Sequence, residues 1–246
     1  MQLKDLVDTP SKIGCYGSAG SGKSAFWATL GECCEFIETD PNGYTTLKYL
    51  KDKWTEERQK VDISYFAETD FKAPRAFSQV KNRVIEINNQ LVQKTYKKKV
   101  VVFDTLTSLS EMALHAVKAA KGVFRTSTEI QEWGMAMGEV EQVILMARAW
   151  PIPVIFIGHR EVKEVDDKSQ VTLSVIGQKL LPKVLNYMEE VYYATVVPIG
   201  EGKFGYRLQT MRTASIEVKS RRNLPDMWDM SQGAKALFRA INQPLD

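Results

Sequence analysis

Residues 17–24 read Gly-Ser-Ala-Gly-Ser-Gly-Lys-Ser, and no other stretch of the chain limits its fold so tightly. The spacing G-x-x-x-x-G-K-[ST] works only as a tight loop between a buried strand and a helix. Gly17, Gly20 and Gly22 remove the Cβ clashes that would stop successive backbone N–H groups from turning toward one anion. The flanks agree with that context. Lys12-Ile13-Gly14-Cys15-Tyr16 reads as a short buried strand, and Ser24 to Leu30 opens a helix whose positive end faces the loop. Gly17, Ser18, Ala19, Gly20, Ser21, Gly22, Lys23 and Ser24 therefore form a candidate cradle for a nucleoside triphosphate. Lys23 would reach the β and γ phosphates, and the Ser24 hydroxyl would ligate Mg²⁺.

Composition bounds the rest. At 246 residues, 44% hydrophobic and 26% charged, residues 1–246 fit one α/β domain with a sizeable core. No run of 18 apolar residues suggests a membrane span, and Met1-Gln2-Leu3-Lys4-Asp5 opens no secretory signal. Cys15, Cys33 and Cys34 make neither a disulfide framework nor a metal site, which points to a reducing cytoplasm. A net charge of +3 is too small to draw nucleic acid through bulk electrostatics. Basic residues do cluster, at Lys94/Lys97/Lys98/Lys99 and at Arg207/Arg212/Lys219/Arg221/Arg222. The first cluster reads as a solvated loop.

Strand and helix signals alternate through the first 160 residues. Strands are expected at Glu35–Thr39, Val61–Phe66, Lys99–Asp104 and Pro153–His159. Helices are expected from Pro74 to Val92, Thr107 to Ala120 and Glu129 to Ala149. The run Val100-Val101-Val102-Phe103 is continuous and apolar, as in a parallel strand covered on both faces. Val162 to Val175 alternates around Asp166-Asp167-Lys168, like a hairpin or mobile loop. A helix over Gln178–Tyr187 follows, then strands at Glu190–Val197, Phe204–Thr210 and Ser215–Lys219. The pattern gives a mostly parallel sheet with helices on both faces and antiparallel edge strands near the C-terminus.

Asp104 ends the apolar strand, where a carboxylate beside the loop can hold Mg²⁺; it can equally cap the helix that follows. Hydrolysis would need a group to orient water, and Glu38 and Asp40 are the candidates. Asp40 sits past the strand end and is preferred, although it also suits the turn Asp40-Pro41-Asn42-Gly43. His159 ends its strand on the same edge and reads as a γ-phosphate sensor or as a structural residue. No base-reading motif stands out, so ATP against GTP stays open.

Together these residues resemble the RecA-like ATPase core, and in particular the phage-encoded Sak-type recombination and single-strand annealing ATPases. The resemblance rests on Gly17–Ser24, Phe36–Gly43, Val101–Leu109, Trp133-Gly134, Ile157-Gly158-His159 and Val218–Pro225. It implies that ATP and Mg²⁺ are bound, that Asp40 activates water, and that His159 couples to a DNA-binding loop over roughly 160–177. An aspartate stands where the group usually has glutamate. Lys219 and Arg221 match a pair that reaches across a subunit interface to the neighbour's γ phosphate, which implies a homo-oligomer, ring or filament. Without the resemblance, the same pair reads as a solvated edge strand.

The implied function is a DNA-dependent ATPase acting on single-stranded DNA in homologous recombination or annealing, with a single-strand-binding protein as a possible partner. Candidate DNA contacts are Arg160, Lys163, Lys168 and Lys179, offset by Glu161, Glu164, Asp166 and Asp167. A second candidate loop is Lys121–Arg125, where Phe124 could stack on a base. A nucleotide-gated assembly or loading protein with slow hydrolysis is the main alternative. A small-molecule kinase fits less well, because no lid of convergent arginines is evident.

Overall fold

Alternation along buried strands decides the architecture. The structure, a computed structural model, describes residues 9–41, 43, 48, 56, 58–70, 72–122, 127–165, 168–177 and 179–245. In strand β4 (Val100–Asp104), Val101 and Phe103 face one apolar cluster, and Val100 and Val102 face the other. Strands β1 (Lys12–Gly17) and β5 (Val154–Val165) divide their apolar residues in the same way. A strand buried on both sides needs helices on both sides, and that is the layered form built here.

The remaining strands are β2 (Cys34–Glu38), β3 (Asp62–Tyr65), β6 (Lys168–Leu173), β7 (Glu190–Gly200), β8 (Lys203–Gln209) and β9 (Met227–Asp229). Their order is β3-β2-β4-β5-β1-β7-β8-β9, with β6 paired to β5 off this path. All neighbours from β3 to β7 are parallel, whereas β8 and β9 are antiparallel. The fold is thus mixed α/β with a mostly parallel central sheet, as the sequence pattern implies. One face carries α2 (Ala76–Val92), α3 (Leu106–Ala120), α4 (Ile130–Arg148) and α5 (Leu180–Tyr187). The other carries α1 (Lys23–Trp27) and α6 (Ala234–Ala240).

Several elements depart from expectation for local reasons. The helix after the glycine-rich loop stops at Trp27 and passes into a 3-10 turn, Ala28–Cys33, kinked where Gly31 takes φ 61. Strand β5 runs on past His159 to Val165, because residues 160–165 pair with β6 rather than with the main sheet. The segment 215–219 forms two isolated bridges, Val171–Ile216 and Val191–Lys219, and no continuous strand. β9 and α6 have no counterpart in the sequence reading; they close the α1 side through Trp228, Leu237 and Phe238.

Candidate nucleotide site

Strand β1 lies between β5 and β7, so the loop that leaves it opens at the centre of the sheet. Gly17 is forced: a Cβ there would stand 2.3 Å from the Ala194 carbonyl oxygen. Gly20 and Gly22 take φ +76 and +82, the left-handed region that favours glycine. The Lys23 ammonium is held inside the loop, donating to the carbonyls of Gly17 (2.9 Å) and Ser18 (2.8 Å) and to Ser21 Oγ (3.3 Å). Burial lowers its pKa. That leaves a desolvated cation beneath a nest of backbone N–H groups, a place suited to a polyanion.

Asp104 is buried at the end of β4, level with Glu38 on β2 and Ile157 on β5. Burial pushes its carboxyl up to about 6, although the Ser24 hydroxyl hydrogen-bonds to it and Lys23 lies near. Its Oδ2 finds no hydrogen-bond partner among the described residues. A carboxylate with an unsatisfied oxygen beside a hydroxyl is a hard oxygen donor set, which fits Mg²⁺ completed by phosphate and water. The alternative role, capping α3, falls to Thr105, whose side chain accepts from Ser108 N.

The two strand ends are clasped by Thr39. Its Oγ1 donates to the Thr105 carbonyl (2.8 Å) and accepts from Thr105 N (3.0 Å), and Thr39 N donates to the Asp104 carbonyl (2.7 Å). Asp40 then projects beyond the sheet, and its Oδ2 lies 3.5 Å from His159 Nε2. Glu38 stays beneath, wholly buried, with Oε1 accepting from Asp40 N at 2.9 Å. His159 is fixed through its backbone: its N donates to Thr107 Oγ1 (3.0 Å), and its carbonyl accepts from Ser174 N (2.8 Å). One cleft of about 1080 Å³ is lined by Lys23, Ser24, Asp40, Asp104 and His159. The sequence signals thus converge on one edge of the sheet.

A family model described as an AAA domain matches residues 9–222. The chain belongs to that family. No curated protein matches this AAA domain in sequence. Among solved structures it is similar to a prototypical ATPase from the type III secretion system of pathogenic bacteria. The TM-score is 0.52 with 14% identity, over 76% of this chain and 52% of that one. The AAA domain thus spans about half the length of that ATPase, and the likeness is one of fold. It is also similar to the flagellar accessory protein FlaH from Methanocaldococcus jannaschii (TM-score 0.45, 11% identity, covering 87% and 88% of the two chains). A KaiC-like protein from Pyrococcus horikoshii gives a TM-score of 0.43 at 14% identity, covering 88% and 86%.

Other predicted residues of the AAA domain lie elsewhere. Lys219 bridges Val191, which pairs with Gly14 on β1, about 10 Å down the strand from Gly17. Its ammonium donates to the Met188 (2.6 Å) and Leu185 (3.4 Å) carbonyls. The exposed Arg221 follows on the same stretch, its backbone N donating to Glu190 Oε1. Neither belongs to the cleft around Lys23. Arg160 and Lys168 are exposed on the β5–β6 hairpin, Lys179 is exposed just beyond it, and Lys163 is paired with Glu161 at 2.6 Å. Asp166 and Asp167, and Val123, Phe124 and Arg125 of the second candidate loop, lie outside the described residues. Sequence reasoning singles out neither Thr39 nor Thr107, for which no local signal exists, nor Phe204 and Tyr206. The polar–apolar alternation of β8 was the signal for those two. No helix among the described residues is long and apolar enough to cross a membrane.

Proposed function

We propose that this AAA domain, as a single RecA-like core, is an oligomeric, DNA-dependent ATPase. It acts on single-stranded DNA in homologous recombination or strand annealing, as phage-encoded Sak-type proteins do, in the host cytoplasm. The observation that carries the reading is the meeting of Lys23, Ser24, Asp104, Asp40 and His159 in one cleft, with His159 leading straight into the β5–β6 hairpin. Lys23 neutralises the β and γ phosphates, and Ser24 and Asp104 hold Mg²⁺. The bound ion supplies charge neutralisation at the transferring phosphoryl group. Asp40 orients the attacking water, a role typically worth 10²–10⁴-fold in rate. His159 senses the γ phosphate and passes its loss to the hairpin.

Lys219 and Arg221 serve a neighbour's nucleotide, as arginine fingers do in trans; their distance from their own phosphate loop supports this reading. Arg160, Lys163, Lys168 and Lys179 contact DNA phosphates, which makes binding salt-sensitive. A single-strand-binding protein is the expected partner on the same strand. The test is ATP hydrolysis with and without single-stranded DNA, at low salt and over a range of protein concentrations. We expect stimulation by DNA that steepens with protein concentration; turnover indifferent to both overturns the reading. The Lys163–Glu161 pair (2.6 Å), which neutralises one of the hairpin's cations, favours a second reading. In it, the protein is a nucleotide-gated loading factor with slow turnover, recruited by partners rather than by DNA.

A further inference from the structure

One wall of the cleft, beside the phosphate loop, presents large apolar side chains to solvent. Strand β7 continues past the loop, since Gly17 pairs with Ala194 and β7 ends only at Gly200; β8 then returns from Lys203. The resulting hairpin carries Ile199, Phe204 and Tyr206, which are 53%, 67% and 48% exposed. Phe204 and Tyr206 lie two apart on β8, on the face that leads to buried Leu208 and so to the α1 side of the sheet. Tyr206 is pressed against the loop itself: a Cβ on Gly22 would stand 2.9 Å from its ring. The Met230 methyl would lie 3.5 Å from the same point. Large aromatic side chains left in water beside a polyanion site call for an apolar occupant.

Apart from the Tyr206 phenol, the side-chain polar groups of Arg207, Asp229, Ser231 and Thr29 along that wall are engaged within the protein. Arg207 pairs with Asp229 (3.0 Å) and donates to the Tyr206 carbonyl (2.9 Å). Asp229 accepts from the Ser231 backbone N (2.9 Å), and the Ser231 side chain also hydrogen-bonds to it. Thr29 Oγ1 donates to the Phe26 carbonyl and accepts from Ala234 N, each at 2.7 Å. Base discrimination needs side chains that offer hydrogen bonds to a base edge, whereas an aromatic surface stacks on any base.

We propose that Phe204 and Tyr206 form the nucleobase site of this AAA domain, holding the base by stacking alone, so that the enzyme accepts nucleoside triphosphates with little regard to the base. The proposal rests on the reading of Gly17–Ser24 as the triphosphate cradle. It is tested by measuring the affinities of ATP, GTP, CTP and UTP, with inorganic tripolyphosphate as the baseless probe. The proteins are the wild type and the Phe204→Ala/Tyr206→Ala double variant. We expect the four nucleotides to bind within about tenfold of one another. The double variant should lose about tenfold or more for each, tripolyphosphate should bind both proteins equally, and Phe204→Tyr/Tyr206→Phe should restore nucleotide affinity. A preference above about a hundredfold for one base, or undiminished nucleotide binding by the double variant, overturns the proposal. Failure of the wild type to bind tripolyphosphate overturns instead the cradle on which it rests. If the double variant loses tripolyphosphate as well, the single change Phe204→Ser, at a largely exposed side chain, decides by the same comparison.

Discussion

Glu38 is a carboxylic acid with almost nothing to keep it charged. It is wholly buried, one oxygen accepts from Asp40 N, and the other has no partner among the described residues. Gly43 sits so close that a Cβ there would meet the carboxyl at 2.4 Å. Burial, and then the neighbouring Asp104, hold its pKa well above the ordinary 4.5. Above pH 4.5 the folded protein therefore retains a proton that the unfolded chain has released, so stability falls as pH rises. Urea midpoints between pH 5 and pH 8 should show this decline, and Glu38→Gln should flatten it; an equal slope in both proteins would mean that Glu38 is charged in the fold. The same crowding was only half legible in the sequence. Glu38 and Asp40 both stood out as acids at one strand's end, Glu38 within it and Asp40 just past it. Nothing in the letters says that one lies under the turn while the other reaches past it toward His159. Gly17 teaches the converse: the motif demands it for its loop, yet the β7 backbone at Ala194 excludes a side chain as well.

Among the elements, β4 and the first half of β5 were readable because each is a short run of β-branched and aromatic residues with no polar face. The pieces that escaped are held by contacts distant in sequence. Segment 215–219 pairs with β6 at one end and β7 at the other, and Tyr16 Oη donates to the Glu217 carbonyl beneath it at 2.6 Å. No local pattern encodes that. Thr107 is a second example: its hydroxyl accepts from His159 N and donates to the Ser174 carbonyl (2.8 Å), pinning both legs of the β5–β6 hairpin to the start of α3. Thr107→Val keeps the shape and strands both backbone groups. It should cost about 1–3 kcal/mol, read as a lower urea midpoint, and amide exchange should quicken in residues 159–174. Unchanged exchange there would show that the hairpin is held by its own pairing.

Across the whole molecule, the sheet sets two kinds of group at different heights. Lys23, Asp104 and Asp40 gather where the strands end, whereas Lys219 and Arg221 lie lower, beside the start of β7, with Lys219 tied to the end of α5 and Arg221 N to Glu190. If that lower pair serves a neighbour, Arg221→Ala should leave nucleotide affinity intact and slow hydrolysis of the assembled protein. Mixing it with Lys23→Ala subunits should then restore turnover, because an intact phosphate loop meets an intact arginine across the interface; a mixture as inactive as its two components would place the arginine outside any shared site. Contacts that join one height of a subunit to another height of the next are head-to-tail, and they close into a ring or run on as a filament. The two outcomes differ in their leftovers. A filament has one terminal subunit whose nucleotide meets no cations, and another whose cations meet no nucleotide. A ring has neither. Turnover per subunit would then climb with length in a growing filament, and would stop changing once a ring had closed.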